Sequence, residues 1–422
     1  MKILLIAPYF KPYNNPRALR WTELVDQMLG KGHHVKVICS NFSKEILSPK
    51  RDGLTILPVG FNSLQEYLIL KKQTNTSNQK SGKPGKLAYK LHQLFWKPYI
   101  FPDESFIWRK PALKKANELL QKEDFDAMIS VGLPFSAHLV GKEIKENYPD
   151  LPWLMDVGDP YALQDYHPIS NPLFYKKRSR ILERACLNLA DRVVVTTPKM
   201  VELYHAAFEI ETGKISVIPP MNALEFPSAV KSEKSFGANL NLGYFGSFFK
   251  NIREPDVLFH FLEMLQNQER ELFRKANIHF YGDGYEKFKI AEKISNLDLP
   301  VQIHAKVARP KVLDSINGMD ILLHLGNKSD FQIPSKIAEY ICSGIPFIHI
   351  SQTENDPVIN LVKSLNWCKV LEWKGAETDL NGIAEFIVEP PKADTGLLAA
   401  LRMKFGPERL SVAYLELLLA IK

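Results

Sequence analysis

The sequence predicts an α/β protein built from two doubly wound parallel sheets, and three observations carry the prediction. The chain opens as strand, helix, strand, the start of an open sheet flanked by helices. A polar, proline-containing stretch from Pro219 to Asn239 divides it near the middle. Beyond that stretch a second series of apolar runs of strand length begins, separated by segments long enough for helices. At 422 residues there is room for two domains of about 200 residues, each able to bury a core.

The first half reads as follows. Ile3 to Ala7 is a strand; Met1-Lys2 ahead of this short apolar run is not the pattern of a signal-peptide core. Pro8 to Asn15 is a loop. Asn15 caps a helix with Pro16 in its first turn, and Ala18, Trp21, Val25 and Met28 mark its buried face. Gly30-Lys31-Gly32 ends it, and His34 to Ile38 is the second strand. Arg17 and Arg20 sit near the helix start, placed either to reach a phosphate or to stay solvated. Leu54 to Val59 is a further strand, and Ala112 to Leu120 a helix entered through Pro111.

Ala127 to Val131 and Trp153 to Val157 are apolar strands. The first turns through Gly132-Leu133-Pro134 into a helix carrying His138; the second ends in Gly158-Asp159-Pro160. Ligands of open parallel sheets bind beyond the C-terminal strand ends, so Asp156, Asp159 and His138 fall where an acceptor would sit. His138 has three readings: general base, acceptor ligand, or capped surface histidine. Asp159 either binds an acceptor hydroxyl or caps the next turn. Leu182 to Ala190 is helical, and Arg192 to Thr196 and Ile215 to Ile218 are strands.

One segment stands apart by charge. The net charge is +7, yet Lys71 to Lys115 alone holds eleven basic residues against Asp103 and Glu104, a balance of +9. Lys71 to Gly85 reads as a polar loop. Lys86 to Trp108 then mixes lysines with Tyr89, Phe95, Trp96, Tyr99, Phe101, Phe106 and Trp108, which suits an anionic membrane surface or a lipid-linked acceptor. A solvated insertion and a nucleic-acid patch are the alternatives, and no nucleic-acid motif accompanies it. Cys39, Cys186, Cys342 and Cys368 are scattered, so neither a zinc site nor a disulfide framework is suggested. No apolar run approaches the ~20 residues of a membrane span. The expectation is a cytoplasmic protein, peripheral on the inner face of a membrane, with no nucleic-acid partner.

In the second half Asn241 to Phe245 starts a new sheet and Gly246-Ser247 turns off it, with Lys250 and Arg253 close behind. Ile278 to Tyr281 ends in Gly282-Asp283-Gly284; Val301 to Ile303 and Ile321 to Leu325 follow. Ile333 to Ile350 is the most informative stretch. Pro334 suits a helix start, and Ser335 is able to satisfy a free backbone N–H there. Gly344 suits the position just past the end, and Ile345 to Ile350 is a buried strand. The helix N-terminus suits a phosphate, and Glu339 lies on the face of Ser335, where a carboxylate can accept from a ribose diol. The plain alternative is an amphipathic helix with a solvated glutamate. Gly396 to Lys422 reads as terminal helices, with Leu410, Ala413, Tyr414, Leu417, Leu418 and Ile421 as a stripe.

Glu339, then Gly344, Pro346 and an apolar strand, resemble the donor-site signature of glycosyltransferase family 4. Pro334-Ser335-Lys336 resembles the branch found in bacterial surface-polysaccharide assembly. So do Ser130-x-x-Leu133-Pro134-x-Ser136-x-His138-Leu139 and the later Asp156-x-x-Asp159-Pro160. Gly32-His33-His34 and the run from Glu183 to Val193 are similar to other parts of the family.

The resemblance implies the GT-B fold: two facing Rossmann-like domains with an interdomain cleft. It divides the chain into an acceptor-side domain at 1–220, with the insertion at about 71–110, a linker at 221–239, and a nucleotide-sugar-binding domain at 240–395. Helices at 396–422 would cross back to the first domain. It implies a retaining transfer from a nucleotide-diphosphate sugar to a glycan or lipid-linked acceptor, with no metal and no further cofactor. Donor binding falls to Gly246, Ser247, Lys250, Arg253, Pro334, Ser335, Lys336 and Glu339, and Asp159 and His138 serve catalysis.

The chain departs from the family pattern at five places. Asn14-Asn15 stands for a Gly-Gly pair, Pro219 to Asn222 for an Asn-Gly turn, Ser247 for an arginine, and Ala305 for a glycine. Phe331 stands where relatives have the first of two glutamates. A non-catalytic GT-B subunit and a nucleotide-sugar epimerase are the alternative functions.

Overall fold

A computed structural model describes residues 1–13, 15–41, 51–61, 100–164, 172–227, 240–269, 276–282, 290–294, 300–304, 307 and 309–422. Most of the basic insertion, residues 228–239 of the linker, Asn14, Asp283, Gly284 and Ala305 lie outside the described residues. The chain divides into one unit of Met1–Pro219 with Pro407–Lys422, and a second of Pro220–Gly406.

The first unit runs β1 (Lys2–Ile6), α1 (Pro16–Gly30), β2 (His34–Ser40), β3 (Leu54–Val59), α2 (Phe106–Leu120), β4 (Ala127–Val131), α3 (Ser136–Asn147) and β5 (Trp153–Asp156). It continues with α4 (Pro172–Leu189), β6 (Arg192–Val195), α5 (Pro198–Phe208) and β7 (Ile215–Val217). The seven strands lie in the order β3-β2-β1-β4-β5-β6-β7, every pair parallel. The reversal of order beside β1 makes the sheet doubly wound. Its central strands are buried throughout, whereas edge strand β3 has no fully buried residue and tolerates the exposed Pro58.

Asn15 caps α1 by accepting from Ala18 N at 2.7 Å, with Pro16 behind it. Two expected boundaries move. α2 begins at Phe106 rather than after Pro111, which lies inside the helix. As the sixth residue, its ring forfeits a single backbone bond. α4 reaches back to Pro172, ten residues before the expected start at Leu182.

The second unit contains β8 (Leu240–Phe245), α6 (Asp256–Gln268), β9 (Ala276–Tyr281), α7 (Ile290–Ile294), β10 (Val301–His304), α8 (Arg309–Asn317) and β11 (Ile321–Leu325). After these come α9 (Lys336–Ser343), β12 (Phe347–Ser351), α10 (Ile359–Val362), β13 (Cys368–Glu372), α11 (Ile383–Val388) and α12 (Thr395–Phe405). Its six strands are parallel, in the order β10-β9-β8-β11-β12-β13. Leu242, Leu323 and Ile350 face α6 on one side of the sheet; Leu322 and Phe347 face α9 and α12 on the other.

The last helix, α13 (Pro407–Ala420), belongs to the first unit and packs on α1. It buries Leu410, Ser411, Tyr414, Leu415 and Leu418; the expected stripe is corrected, since Ala413, Leu417 and Ile421 are only half-buried. The reason is Tyr414. Its ring lies 5.0 Å from that of Trp21, and its hydroxyl donates to Asp156 Oδ1 at 2.8 Å. Asp156 Oδ2 accepts from Trp21 Nε1 at 2.7 Å and from Arg17 Nη1 at 3.2 Å. Arg20 donates to the Tyr414 hydroxyl at 3.3 Å and to the Pro219 carbonyl at 2.8 Å. A buried carboxylate thus ties β5, α1 and α13 together.

That network corrects two sequence expectations. Asp156 is buried and spent on the fold, not presented to an acceptor. Arg20 is buried as well, and faces α13 rather than a phosphate.

Candidate functional site

In the first unit the candidate residues gather at the C-terminal ends of β4 and β5. His138, on the first turn of α3, is buried, which excludes the surface reading. Ser130 Oγ accepts from Trp153 Nε1 at 2.8 Å and lies 2.8 Å from His138 Nδ1. A hydroxyl that accepts from Trp153 keeps a second lone pair and its own proton, so the direction of the Ser130–His138 bond follows the imidazole tautomer. Nε2 has no partner among the described residues and faces Gly132, where a Cβ would come within 2.5 Å of it. Burial pushes the imidazole pKa down to about 3. His138 is therefore neutral near pH 7, and among the described residues its Nε2 is left without a partner.

Asp159 follows Gly158 beyond β5 and is half-buried. Gly158 admits the Arg17 guanidinium, for a Cβ there would sit 1.6 Å from Nη2. Arg17 is thereby held at the strand ends beside Asp159's loop, and Nη2 has no partner among the described residues. The loop is fixed from behind by Glu183 of α4, a buried carboxylate that accepts from Tyr161 N and Ala162 N at 2.7 Å each and from the Tyr204 hydroxyl at 2.9 Å. Burial raises the Glu183 pKa, and these three donors oppose it.

In the second unit the candidates surround the C-terminal ends of β8 and β11, which are neighbouring strands. Gly246 donates its N–H to the Tyr281 carbonyl at 2.9 Å, and the half-buried Ser247 follows. Phe249 and Arg253 pair in a tight turn, with Asn251 in the left-handed region at φ 62° and Lys250 exposed at the tip. The Arg253 guanidinium bonds to the Ser247 carbonyl at 3.2 Å and to Asn327 Oδ1 at 3.3 Å, and lies 5.7 Å from the Phe249 ring. Asn327 Nδ2 in turn donates to Gln332 Oε1 at 3.2 Å. Lys328 N to Ile252 O at 2.7 Å and Lys328 Nζ to Glu254 at 3.0 Å tie the two loops together.

The loop after β11 leads into α9. Pro334 is buried ahead of the helix and Ser335 is its exposed cap residue. Contrary to expectation, the Ser335 hydroxyl makes no capping bond; the residue already has helical angles, φ −59° and ψ −27°, which carry Oγ away from the N–H groups it would cap. Lys336 Nζ pairs with Glu339 Oε2 at 2.9 Å, and Glu339 is only 7% exposed, so it is not the solvated glutamate of the plain alternative. Tyr340 fixes α9 against the sheet: its hydroxyl accepts from Phe245 N at 2.9 Å and donates to Leu323 O at 3.2 Å. Gly344 ends the helix at φ 72°. The result is a short helix N-terminus, a guanidinium and a carboxylate at adjoining strand ends, a combination suited to diphosphate and ribose.

Sequence reasoning missed Asn327 and Tyr340, which orient Arg253 and α9. It also missed the buried pair His324 and His349, whose Nδ1 atoms lie 2.8 Å apart beneath this edge. A histidine within an otherwise apolar strand was the available signal.

Residues 19–221 match the family model described as Glycosyltransferase Family 4. That stretch, just under half of the chain, is similar to glycosyltransferase family 4. No curated protein sequence matches it. Among solved structures it is similar over its whole length to Anabaena Alr3699/HepE in complex with UDP-glucose, at 14% identity, TM-score 0.59 and 100% coverage of both chains. It is likewise similar to the lipopolysaccharide outer core galactosyltransferase WaaB in its apo form, at 13% identity, TM-score 0.58 and coverage of 100% and 99%. A third likeness is to an alpha,alpha-trehalose-phosphate synthase (UDP-forming) from Burkholderia vietnamiensis, at 10% identity, TM-score 0.64 and coverage of 100% and 98%. These likenesses show the fold: two Rossmann-like units of the GT-B type, as the sequence led one to expect.

Proposed function

We propose that this glycosyltransferase moves a sugar, with retention of anomeric configuration and without bound metal, from a nucleotide-diphosphate donor to a glycan or lipid-linked acceptor. Its setting is bacterial cell-surface polysaccharide synthesis, in the cytoplasm on the inner face of the membrane. The observation that carries the reading is the meeting of Arg253, the α9 N-terminus and the buried Glu339 at the ends of β8 and β11. The HepE structure's bound UDP-glucose and the role named for WaaB support the donor class and the setting. No described helix is long and apolar enough to cross a membrane.

In this scheme Glu339 accepts from the ribose hydroxyls. Arg253, Lys250 and the N–H groups after Gly246 and Pro334, with Ser335 and Lys336 beside them, hold the diphosphate as the bond from sugar C1 to the phosphate oxygen breaks. The acceptor oxygen forms its bond to C1 on the same face, and its proton passes to the departing phosphate oxygen. Asp159 orients the acceptor hydroxyl, and the neutral His138 serves it through Nε2 once the Gly132 turn yields.

The test is nucleoside diphosphate release from nucleotide sugars, with and without lipid-linked acceptor. The reading expects acceptor-dependent release, an unchanged rate in EDTA, and a product with the donor's anomeric configuration. Turnover of the nucleotide sugar without acceptor would instead indicate an epimerase, and no turnover with any donor a non-catalytic subunit.

A further inference from the structure

We infer that the outward face of α4 is a seat for an anionic lipid bilayer. The inference deepens the peripheral-membrane part of the reading above, and it places the contact on a helix of the sheet domain rather than in the 71–99 insertion.

α4 carries five basic residues, Lys176, Lys177, Arg178, Arg180 and Arg184, and a single acid, Glu183. Glu183 points inward and is consumed by the loop after β5. At 3.6 residues per turn Phe174, Lys177, Arg178, Ile181 and Arg184 form one stripe, opposite the buried Ser179, Glu183 and Cys186. On that stripe Phe174 is 77% and Ile181 59% exposed, two helical turns apart. Among the described residues nothing pairs with Lys176 or Lys177; Arg184 pairs with the exposed Glu209 at 2.9 Å.

Beside the stripe a cavity of about 230 Å³ opens between α2, α3 and α4, with Arg109, Lys142 and Arg178 around Phe101. Glu143 is its one acid and is paired with Arg109. The Arg178 guanidinium stacks 4.7 Å from the centre of the Phe101 ring, which holds it at the rim.

Large apolar side chains left in water within a cationic stripe match the chemistry of a bilayer interface. The ring and the branched chain enter the acyl boundary while the flanking cations meet lipid phosphates. A polyanion such as RNA satisfies the cations but gives Ile181 nothing to bury against. Arg109 pairs with Glu143 and Lys142 with Glu146, which leaves Arg178 at the rim to meet a headgroup phosphate.

The test is flotation of the full chain with phosphatidylcholine vesicles and with mixed phosphatidylcholine–phosphatidylglycerol vesicles. Binding is expected only with the mixed vesicles. Phe174→Ser with Ile181→Ser should weaken it more than tenfold, and Lys177→Glu with Arg178→Glu at least ~25-fold, about fivefold per basic side chain. The melting temperature reports that both variants are folded. Deletion of residues 72–100 separates the two surfaces. If the deletion removes binding while the α4 variants bind like wild type, the inference fails and the peripheral reading stands. If wild type binds neither vesicle, both fail. Loss with the charge reversal but not with the serine pair indicates a general polyanion site and also overturns the inference.

Discussion

Asp156→Ala is expected to lower the unfolding free energy of the first unit by about 3–5 kcal/mol, the range for stripping one partner from a buried charged network. The carboxylate is 1% exposed and receives Trp21, Arg17 and Tyr414. Its removal leaves the indole N–H without an acceptor and the two arginines without their counter-charge. The loss should appear as a drop of roughly 10 °C in the melting temperature of that unit. The variant should also show early protease cleavage ahead of α13, whose anchor is Tyr414. Tyr414→Phe removes two bonds, to Asp156 and from Arg20, but leaves the carboxylate its other donors and keeps the ring against Trp21, so it should cost only ~1–2 kcal/mol. Equal, small losses in both variants would mean that the network does not hold α13.

Acid sensitivity is the second large effect. His138 has an ordinary pKa of 6.5 and a folded value of about 3. Between those values the unfolded chain binds a proton that the folded chain refuses, so stability falls as pH falls. The contribution is intact above pH 6.5. About 2 kcal/mol of it is gone by pH 5 and nearly 5 kcal/mol by pH 3, at 1.36 kcal/mol per unit. His324 in the second unit is also held well below 6.5 by burial, and acts in the same direction. Denaturant titrations from pH 7.5 to 4.5 should show the slope, and His138→Gln should flatten it. A variant as acid-sensitive as wild type would place the titrating group elsewhere.

The fold was legible because its signals are local. β1, β2, β4 and β8 are apolar runs bounded by glycine or proline, and Asn15-Pro16 announces the start of α1. Gly344 marks the end of α9 because its backbone conformation suits glycine. What escaped depends on contacts distant in sequence. Tyr414 reaches Asp156 across 258 residues, and Arg253 reaches Asn327 across 74. No periodicity encodes either. In the sequence Asp156 has the place of a ligand because it ends a strand at the right edge of the sheet. Only the packing of α13 reveals that its oxygens are taken. Residue type alone makes Ser335 a cap, and its backbone angles decide otherwise.

The central claim is that the second unit seats a nucleoside diphosphate on Arg253 and the α9 N-terminus, with ribose on Glu339. The most direct measurement is the melting temperature of wild type and Glu339→Ala with UDP, GDP, ADP, dTDP or CMP, each variant referred to its own unliganded value. A hundredfold excess of ligand over its dissociation constant stabilises by about 2.7 kcal/mol. The account predicts a clear rise for wild type with one nucleoside diphosphate and little or none for Glu339→Ala. A folded wild type that responds to none of them, or a variant that responds as strongly as wild type, would contradict it.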